Sequence, residues 1–262
     1  MENKDTEQIE VLANKIMKEE YELMGLQEVN QRINSSPIVA DQYFQATYNQ
    51  QAIHEDNFLY RLIQRLNKSG YYYYWSWSFN HIGYGKFQEG VGLLAKTPFD
   101  KVEGLLISKA SDPADYHTRK VLLGELTIDG HNVIVVSGHF SWWEDQAFHF
   151  EWKRLEQQLM GEDKDFILLG DFNNDASMNE EGYELIQNSP LQLQDSFKCA
   201  EEVSGEYTVE KAIDGWADNL SKLRIDYIFA SRSFLVKNYK SVFDDDNGVK
   251  ISDHYGIEVE MD

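Results

Sequence analysis

The run Phe166-Ile167-Leu168-Leu169 does most to limit what this chain can fold into. Four consecutive apolar residues are too few for a helix face but suit a strand buried on both sides, and Gly170 ends the run. Directly afterwards come Asp171, Asn173, Asn174 and Asp175. A packed strand that stops in a polar loop holds a carboxylate still where solvent and substrate can reach it. The same residue types also form ordinary turns. Taken alone, the segment leaves a turn and a site equally open, and the rest of the chain must decide.

Other stretches repeat the pattern. Asp5 and Gln8 cap a predicted helix over residues 5–20, with Ile9, Leu12, Ala13 and Ile16 at helical spacing. Leu23 to Leu26 reads as a buried strand ending at Gln27 and Glu28, and residues 30–57 read mostly as loop. Phe58, Leu62, Ile63 and Leu66 mark a second helix, closed by Lys68-Ser69-Gly70. From Tyr74 to Phe79 the alternation predicts a strand with Trp75, Trp77 and Phe79 on one face and Ser76 and Ser78 on the other. The Gly-rich segment His81 to Gly85 is expected to be an exposed loop. Strands follow at 91–95, 105–108, 121–128 and 133–137, with turns at Pro98-Phe99-Asp100 and Asp129-Gly130. Phe148, Trp152, Leu155 and Leu159 mark a helix, and a short one covers Tyr183 to Ile186. Residues 196–222 read as a long polar connection, followed by strands at 224–230, 234–242 and 256–261. No linker or internal repeat interrupts the chain, so residues 1–262 are expected to form one domain.

Composition narrows the function. Lys and Arg number 24 against 45 Asp and Glu, a formal net charge of -21. Such a surface repels phosphate backbones, which disfavours broad nucleic-acid binding, while acidic clefts that recruit divalent cations stay in play. Cys199 is the only cysteine, as suits a reducing compartment. The polar N-terminus lacks a signal peptide's apolar core, and no apolar run approaches the roughly 18 residues of a membrane span. A cytoplasmic protein without membrane contact is expected.

Predicted strands deliver Glu28, His139, Asp171 with Asn173, and Asp253 with His254 at or near their ends. Asp226 lies inside another strand, between Ile225 and Tyr227, where a carboxylate needs a partner and a histidine is the obvious one. An acid, histidine, amide and acid set fits hydrolysis assisted by a hard divalent cation. The segments Gly25-Leu26-Gln27-Glu28-Val29, Ser137-Gly138-His139, Gly170-Asp171-Phe172-Asn173, Arg224-Ile225-Asp226-Tyr227 and Ser252-Asp253-His254 carry a resemblance to the endonuclease/exonuclease/phosphatase superfamily, the deoxyribonuclease I-like fold. They occur in the family's order across roughly residues 23–259, and Glu89-Gly90 before the strand at 91–95 is similar to its acid-Gly-strand segment.

The resemblance implies an α+β fold, a four-layer α/β/β/α sandwich of two packed, mainly antiparallel sheets with outer helices. It implies Glu28 as the ligand of Mg²⁺, with Mn²⁺ as the alternative, and Asp253 as a second acid near the metal. Asp171 and Asn173 resemble the pair that orients water and phosphate, with Asp171 as general base. His254, held by Asp226, and His139, oriented by Glu89, resemble the histidines that face phosphoryl oxygens. Arg119 is similar in placement to a phosphate-contacting arginine. The family pattern also begins with a strand carrying a site asparagine, which the sequence as written lacks ahead of the helix at 5–20. On that ground the chain as written is expected to be less stable and less active than one carrying the strand.

Superfamily resemblance implies phosphoester hydrolysis without fixing the substrate. His81, Tyr84, Trp142, Trp143 and Trp216, with Asp214 and Asn219, read as an aromatic and polar cup suited to a sugar ring, although Trp216 fits a core position equally well. The segments around Trp75 to Tyr84, Gly138 to Trp143 and Ile213 to Trp216 resemble a bacterial branch of maltose 6'-phosphate phosphatase-like proteins. The expected activity is Mg²⁺-dependent hydrolysis of a small phosphorylated sugar. The alternatives are a nuclease or nucleotide phosphatase, and a non-catalytic binding protein on the same fold.

Overall fold

Ile9, Ala13 and Ile16 form one apolar stripe, and the computed structural model, which describes residues 2–210 and 221–262, buries all three on α1 (Glu2–Glu19). The chain divides into two compact units, Met1–His139 and Phe140–Asp262. In the first, α1 is followed by β1 (Leu23–Arg32), α2 (Phe58–Lys68), β2 (Tyr74–Gly83), β3 (Phe87–Ala95), β4 (Lys101–Leu106), β5 (Lys120–Ile128) and β6 (His131–His139). Asn57 starts α2 by accepting a hydrogen bond from the Tyr60 N–H, and the helix buries Leu59, Leu62, Ile63 and Leu66. These side chains pack with the α1 stripe onto Val29, Trp75, Trp77 and Leu94, so a layer of two helices covers one sheet face.

That sheet runs β1-β3-β2, antiparallel throughout, and β4, β5 and β6 also pair antiparallel. The alternation along β2 is as its sequence predicts. Trp75 and Trp77 face the helices, while Ser78 faces β4, where a Cβ on Gly104 would stand 2.6 Å from the Ser78 hydroxyl. Small residues on the second face let the backbone of β4 approach, so the strand is buried on both sides. The loop after β1 is irregular, as expected, and Asp41 pins it by accepting from Tyr43 N, Asn67 Nδ2 and the Trp75 indole. The β5–β6 turn has Asp129 at φ 48 and Gly130 at φ 87, the left-handed pair that a tight hairpin requires.

The second unit contains α3 (Ala147–Leu159), β7 (Asp165–Asp171), α4 (Gly182–Gln187), β8 (Gln194–Asp195), α5 (Ser196–Cys199), β9 (Glu202–Ser204), β10 (Val209–Glu210), β11 (Lys222–Leu223), β12 (Asp226–Ala230), β13 (Val236–Val242) and β14 (Gly256–Met261). β12 pairs antiparallel with β7 and β8, and β13 lies between antiparallel β14 and parallel β9. Phe140, Phe172, Tyr227 and Phe229 pack ring on ring beneath this framework, with Phe140 and Phe172 stacked at 4.6 Å.

Two sequence expectations need correction in this unit. The described part of 196–222 is not plain connection, because Asp195 caps α5 and β9 adds to the edge of β13. Elements of three or four residues are too short to show a hydrophobic period. The strand expected from Arg224 starts instead at Asp226. The Arg224 and Ile225 N–H groups bond to the side chains of Asp175 and Thr208 rather than to a strand. Among the described residues, no helix is long and apolar enough to cross a membrane.

Gly90 is the tightest point of the first sheet. A Cβ there would stand 2.2 Å from the Ser78 carbonyl oxygen and 2.7 Å from the Trp77 indole nitrogen. Backbone cannot yield cheaply, so Gly90→Ala is expected to destabilise the protein by about 1–3 kcal/mol, the usual cost of overpacking. Chemical denaturation would show it as a lowered midpoint with unchanged slope.

Candidate active site

Two bulges prepare the first group of side chains. The β1–β3 register shifts between Leu26 and Val29, and Glu28 takes a left-handed φ of 52. The β2–β3 register shifts between Phe79 and His81, immediately opposite Glu89 and Gly90. Bulges re-aim side chains that a regular pleat would send elsewhere. Here they bring ligand atoms of Glu28, Glu89 and His139 within 4.8 Å of one another. The Trp77 indole donates to the Val29 carbonyl at 3.0 Å and so braces the bulge.

His81 belongs to this group rather than to an exposed loop, which corrects the sequence reading. β2 runs on through Gly83, and His81 is buried with its Nε2 3.5 Å from Glu89 Oε1. Gly83 and Gly85 mark the hairpin end beyond it, and Tyr84 stands exposed at the tip with Gly85 and Lys86. Burial, with the nearby Arg119 charge adding to it, pushes His81 down to about 4, so the ring is neutral at pH 7. His139 Nδ1 lies 3.9 Å from the same Glu89 oxygen. Arg119 is 3% exposed, and its Nε and Nη1 are buried with no hydrogen-bond partner among the described residues. A desolvated guanidinium left in that state is costly unless an anion comes to meet it.

The second group stands on the pairing of β12 with β7, which sets Asp226 opposite Asp171. Gly170 reaches φ 141, a conformation that side chains strain to adopt, and the chain then turns out of the strand. Asp171 Oδ1 accepts from Asn173 N at 2.8 Å, and Asn173 Nδ2 donates to the Phe140 carbonyl at 2.9 Å. Asn173 itself sits at φ 51, which asparagine tolerates. Asp226 holds His254 through Nδ1 at 2.9 Å, which turns Nε2 toward Asp171 Oδ2 at 4.0 Å. Burial lowers the His254 pKa. The Asp226 charge and hydrogen bond, with Asp171 and Asp253 behind them, outweigh that effect and raise it to about 10. The imidazole is therefore a pinned cation at neutral pH.

Thr208 went unread in the sequence. It is fully buried, its hydroxyl accepts from both Ile225 N and Asp226 N, and its carbonyl accepts from Tyr255 N. It therefore joins the start of β12 to the His254 segment. Nothing marks it in the sequence, since it lies in a polar stretch without periodicity. Arg224 is buried against Asp195 at 2.8 Å and lies over the rings of Phe197, Tyr227 and Tyr183, which fixes the chain two residues before Asp226.

Asp253 stands outside both groups. It is exposed and accepts a hydrogen bond from the Ser252 hydroxyl at 3.0 Å. Trp142 and Trp143 are half-buried on the segment after Ser141, whose N–H and hydroxyl both bond to the buried Glu151. Asp214, Trp216 and Asn219 lie outside the described residues.

The groups differ in what they can hold. In the second, the His254 cation already answers the Asp226 and Asp171 carboxylates. In the first, Glu28 and Glu89 offer hard oxygen donors beside the neutral His81 ring, a donor set that fits Mg²⁺ or Mn²⁺.

Comparison with known proteins identifies the family and the fold. The sequence matches the Endonuclease/Exonuclease/phosphatase family over residues 2–254, and the chain belongs to that family. Its members are metal-dependent phosphoesterases and nucleases. An endonuclease/exonuclease/phosphatase family protein from Leptotrichia buccalis C-1013-b is 30% identical, with a TM-score of 0.85 over 100% of this chain and 95% of that one. The mannosyl-6-phosphatase Bt3783 of Bacteroides thetaiotaomicron VPI-5482 shares the fold at 17% identity and a TM-score of 0.66, over 98% of this chain and 91% of that one. Humanized D. rerio TDP2 shares it at 17% identity and a TM-score of 0.62, over 99% and 93%. Among curated proteins, none matches the sequence. The fold is thus the α+β, deoxyribonuclease I-like arrangement of mainly antiparallel sheets with flanking helices.

The neutral state of His81 has a measurable sign. Its folded pKa of about 4 lies below the ordinary 6.5, so the unfolded chain binds the proton first. Its contribution to stability is complete above pH 6.5 and is lost as pH falls toward 4. Histidine-resolved NMR titration is expected to find the His81 ring still neutral at pH 5, and His81→Asn should flatten the stability profile between pH 6.5 and 4.

Proposed function

We propose that this chain is a Mg²⁺- or Mn²⁺-dependent phosphatase acting on a small phosphorylated sugar, in the manner of the maltose 6'-phosphate phosphatase-like branch. The observation that carries the hydrolytic reading is the Asp226–His254–Asp171 chain, a histidine cation fixed at Nδ1 by one carboxylate with Nε2 directed at a second. Such a cation stabilises a phosphoryl oxygen as negative charge develops on it, and needs no reorganisation to do so. Asp171 is the base. It takes a proton from the attacking water as the oxygen bonds to phosphorus, the bond from phosphorus to the sugar oxygen breaks, and the sugar oxygen takes a proton from solvent and leaves as the alcohol. Asn173, tied to the scaffold through its amide nitrogen, keeps Asp171 in position and orients the phosphate.

A divalent ion held by Glu28, with Glu89 and His139 beside it, would supply Lewis-acid stabilisation of the phosphoryl group. Asp253 adds negative charge near His254 and is proposed as an outer acid rather than a direct ligand. Arg119 offers its unpartnered guanidinium nitrogens to a phosphate oxygen. A sugar phosphate is favoured over a polynucleotide by the net charge of -21, which repels an extended phosphate backbone. The mannosyl-6-phosphatase that shares the fold supports the same reading. Trp142, Trp143, Asp214 and Trp216 remain proposed sugar contacts, and the acidic, single-cysteine composition suits a cytoplasmic setting.

A phosphate-release screen over sugar phosphates, nucleotides and a short oligonucleotide, with and without Mg²⁺, tests the reading. Turnover should be highest on a sugar phosphate and vanish with chelator. Preferential cleavage of the oligonucleotide, weakening with salt, would establish the nuclease alternative. Asp171→Ala and His254→Ala should each lower kcat by about 10²–10⁴-fold, the range for loss of a catalytic acid–base group, and His254→Ala, which leaves two facing carboxylates without their cation, should also lower the thermal midpoint. Wild-type turnover in either variant would refute the assignment.

A further inference from the structure

The segment between β4 and β5 ends in Arg119 and carries two aromatic rings on its outer side. Tyr116 is 55% exposed, and its ring lies over His117 with centroids 3.8 Å apart and planes at 35°. The pair is held from below. Asp115 Oδ1 accepts from His117 N at 2.9 Å and faces His117 Nδ1 at 2.7 Å, so the imidazole cannot rotate freely. Thr118 is fully buried and donates its hydroxyl to the Asp112 carbonyl at 2.7 Å, and Arg119 N donates to the Ser108 hydroxyl at 2.8 Å. Ile82 N donates to the Pro113 carbonyl at 2.7 Å, which stitches this segment to the strand that carries His81.

Three observations point the pair toward a ligand. Exposed rings normally give up contact area to water, yet this pair lies in close, tilted contact and is braced. Arg119, with two buried guanidinium nitrogens lacking partners among the described residues, follows Tyr116 by three residues, or at most about 10 Å of chain. Asp115 and His117 also lie on the segment that the Ile82–Pro113 hydrogen bond joins to the strand carrying His81. Two carboxylates, Asp112 and Asp115, flank the rings on the same segment. They would hydrogen-bond hydroxyls and repel a second phosphate, which excludes a polyanionic leaving group.

We propose that Tyr116 and His117 form the platform on which the neutral, hydroxylated ring of the leaving group stacks while Arg119 meets its phosphate. This deepens the sugar-phosphatase reading and rests on it, while the test below measures binding alone. The face of Tyr116 covers the C–H face of a hexose, and Asp115 fixes the height of the stack by holding His117. Tyr84, exposed at the neighbouring hairpin tip, directly follows the strand stitched to the same segment.

Isothermal titration of the full chain, in an Asp171→Ala background with Mg²⁺ to prevent turnover, tests the platform with maltose 6'-phosphate and inorganic phosphate as the two probes. Tyr116→Ala should lower the affinity ratio of sugar phosphate over inorganic phosphate by 5–20-fold, Tyr116→Phe should restore it, and His117→Ala should lower it by a smaller factor. Tyr48→Ala, which removes a 91% exposed ring from another loop, should leave the ratio unchanged. An unchanged ratio in Tyr116→Ala, or no binding of the sugar phosphate by the parent, would overturn the proposal. Loss of the ratio in Tyr116→Ala from a wild-type chain that releases no phosphate would keep the platform and overturn the hydrolase.

Discussion

A charge inside a protein must have its counter-charge built beside it, and here the register of β12 against β7 builds it. Asp226 and Asp171 face each other across that ladder, and two largely desolvated carboxylates in such a place would repel one another without a cation. His254 is that cation, held by Asp226 and kept protonated by both acids. The turn at Gly170, the cap from Asp171 to Asn173 and the double acceptor at Thr208 all set these three side chains in one place. The Arg224–Asp195 pair, enclosed by Tyr183, Phe197 and Tyr227, does the same from beneath the strand.

The first unit handles charge in the opposite way. Burial keeps His81 neutral beside Glu89, so the imidazole adds no positive charge next to that carboxylate. Both units therefore combine carboxylates with histidine, and environment alone makes one histidine a cation and the other a neutral ring. That difference gives the two groups opposite local charge although their residue types are alike.

Much of this was legible in the sequence, for identifiable reasons. Apolar runs such as Phe166 to Leu169 and the Trp75–Trp77 alternation report burial directly, and the structure places them as strands. Asp226 could be assigned a histidine partner because an isolated carboxylate in a strand is unstable, and His254 is that partner. Other features had no local signature. Glu28 reads as a strand end because a bulge adds a residue that breaks the period, although β1 continues to Arg32. His81 reads as loop because glycines follow closely, although the turn lies beyond it. Thr208 acts through its hydroxyl on residues 17 and 18 positions away, a relation that only the fold creates.

The paired bulges around Glu89 also bear on how this scaffold can diversify. They pin the register of β3 to both neighbours below the hairpin tip, so Glu89 keeps its direction whatever the length of the segment from Tyr84 to Lys86. Insertions at the tip are absorbed as loop, whereas a one-residue slip within the strands would turn Glu89 to the opposite face. The direction of Glu89 and the outer loops can thus change independently, and one strand frame can carry different surfaces by rewriting its rim alone.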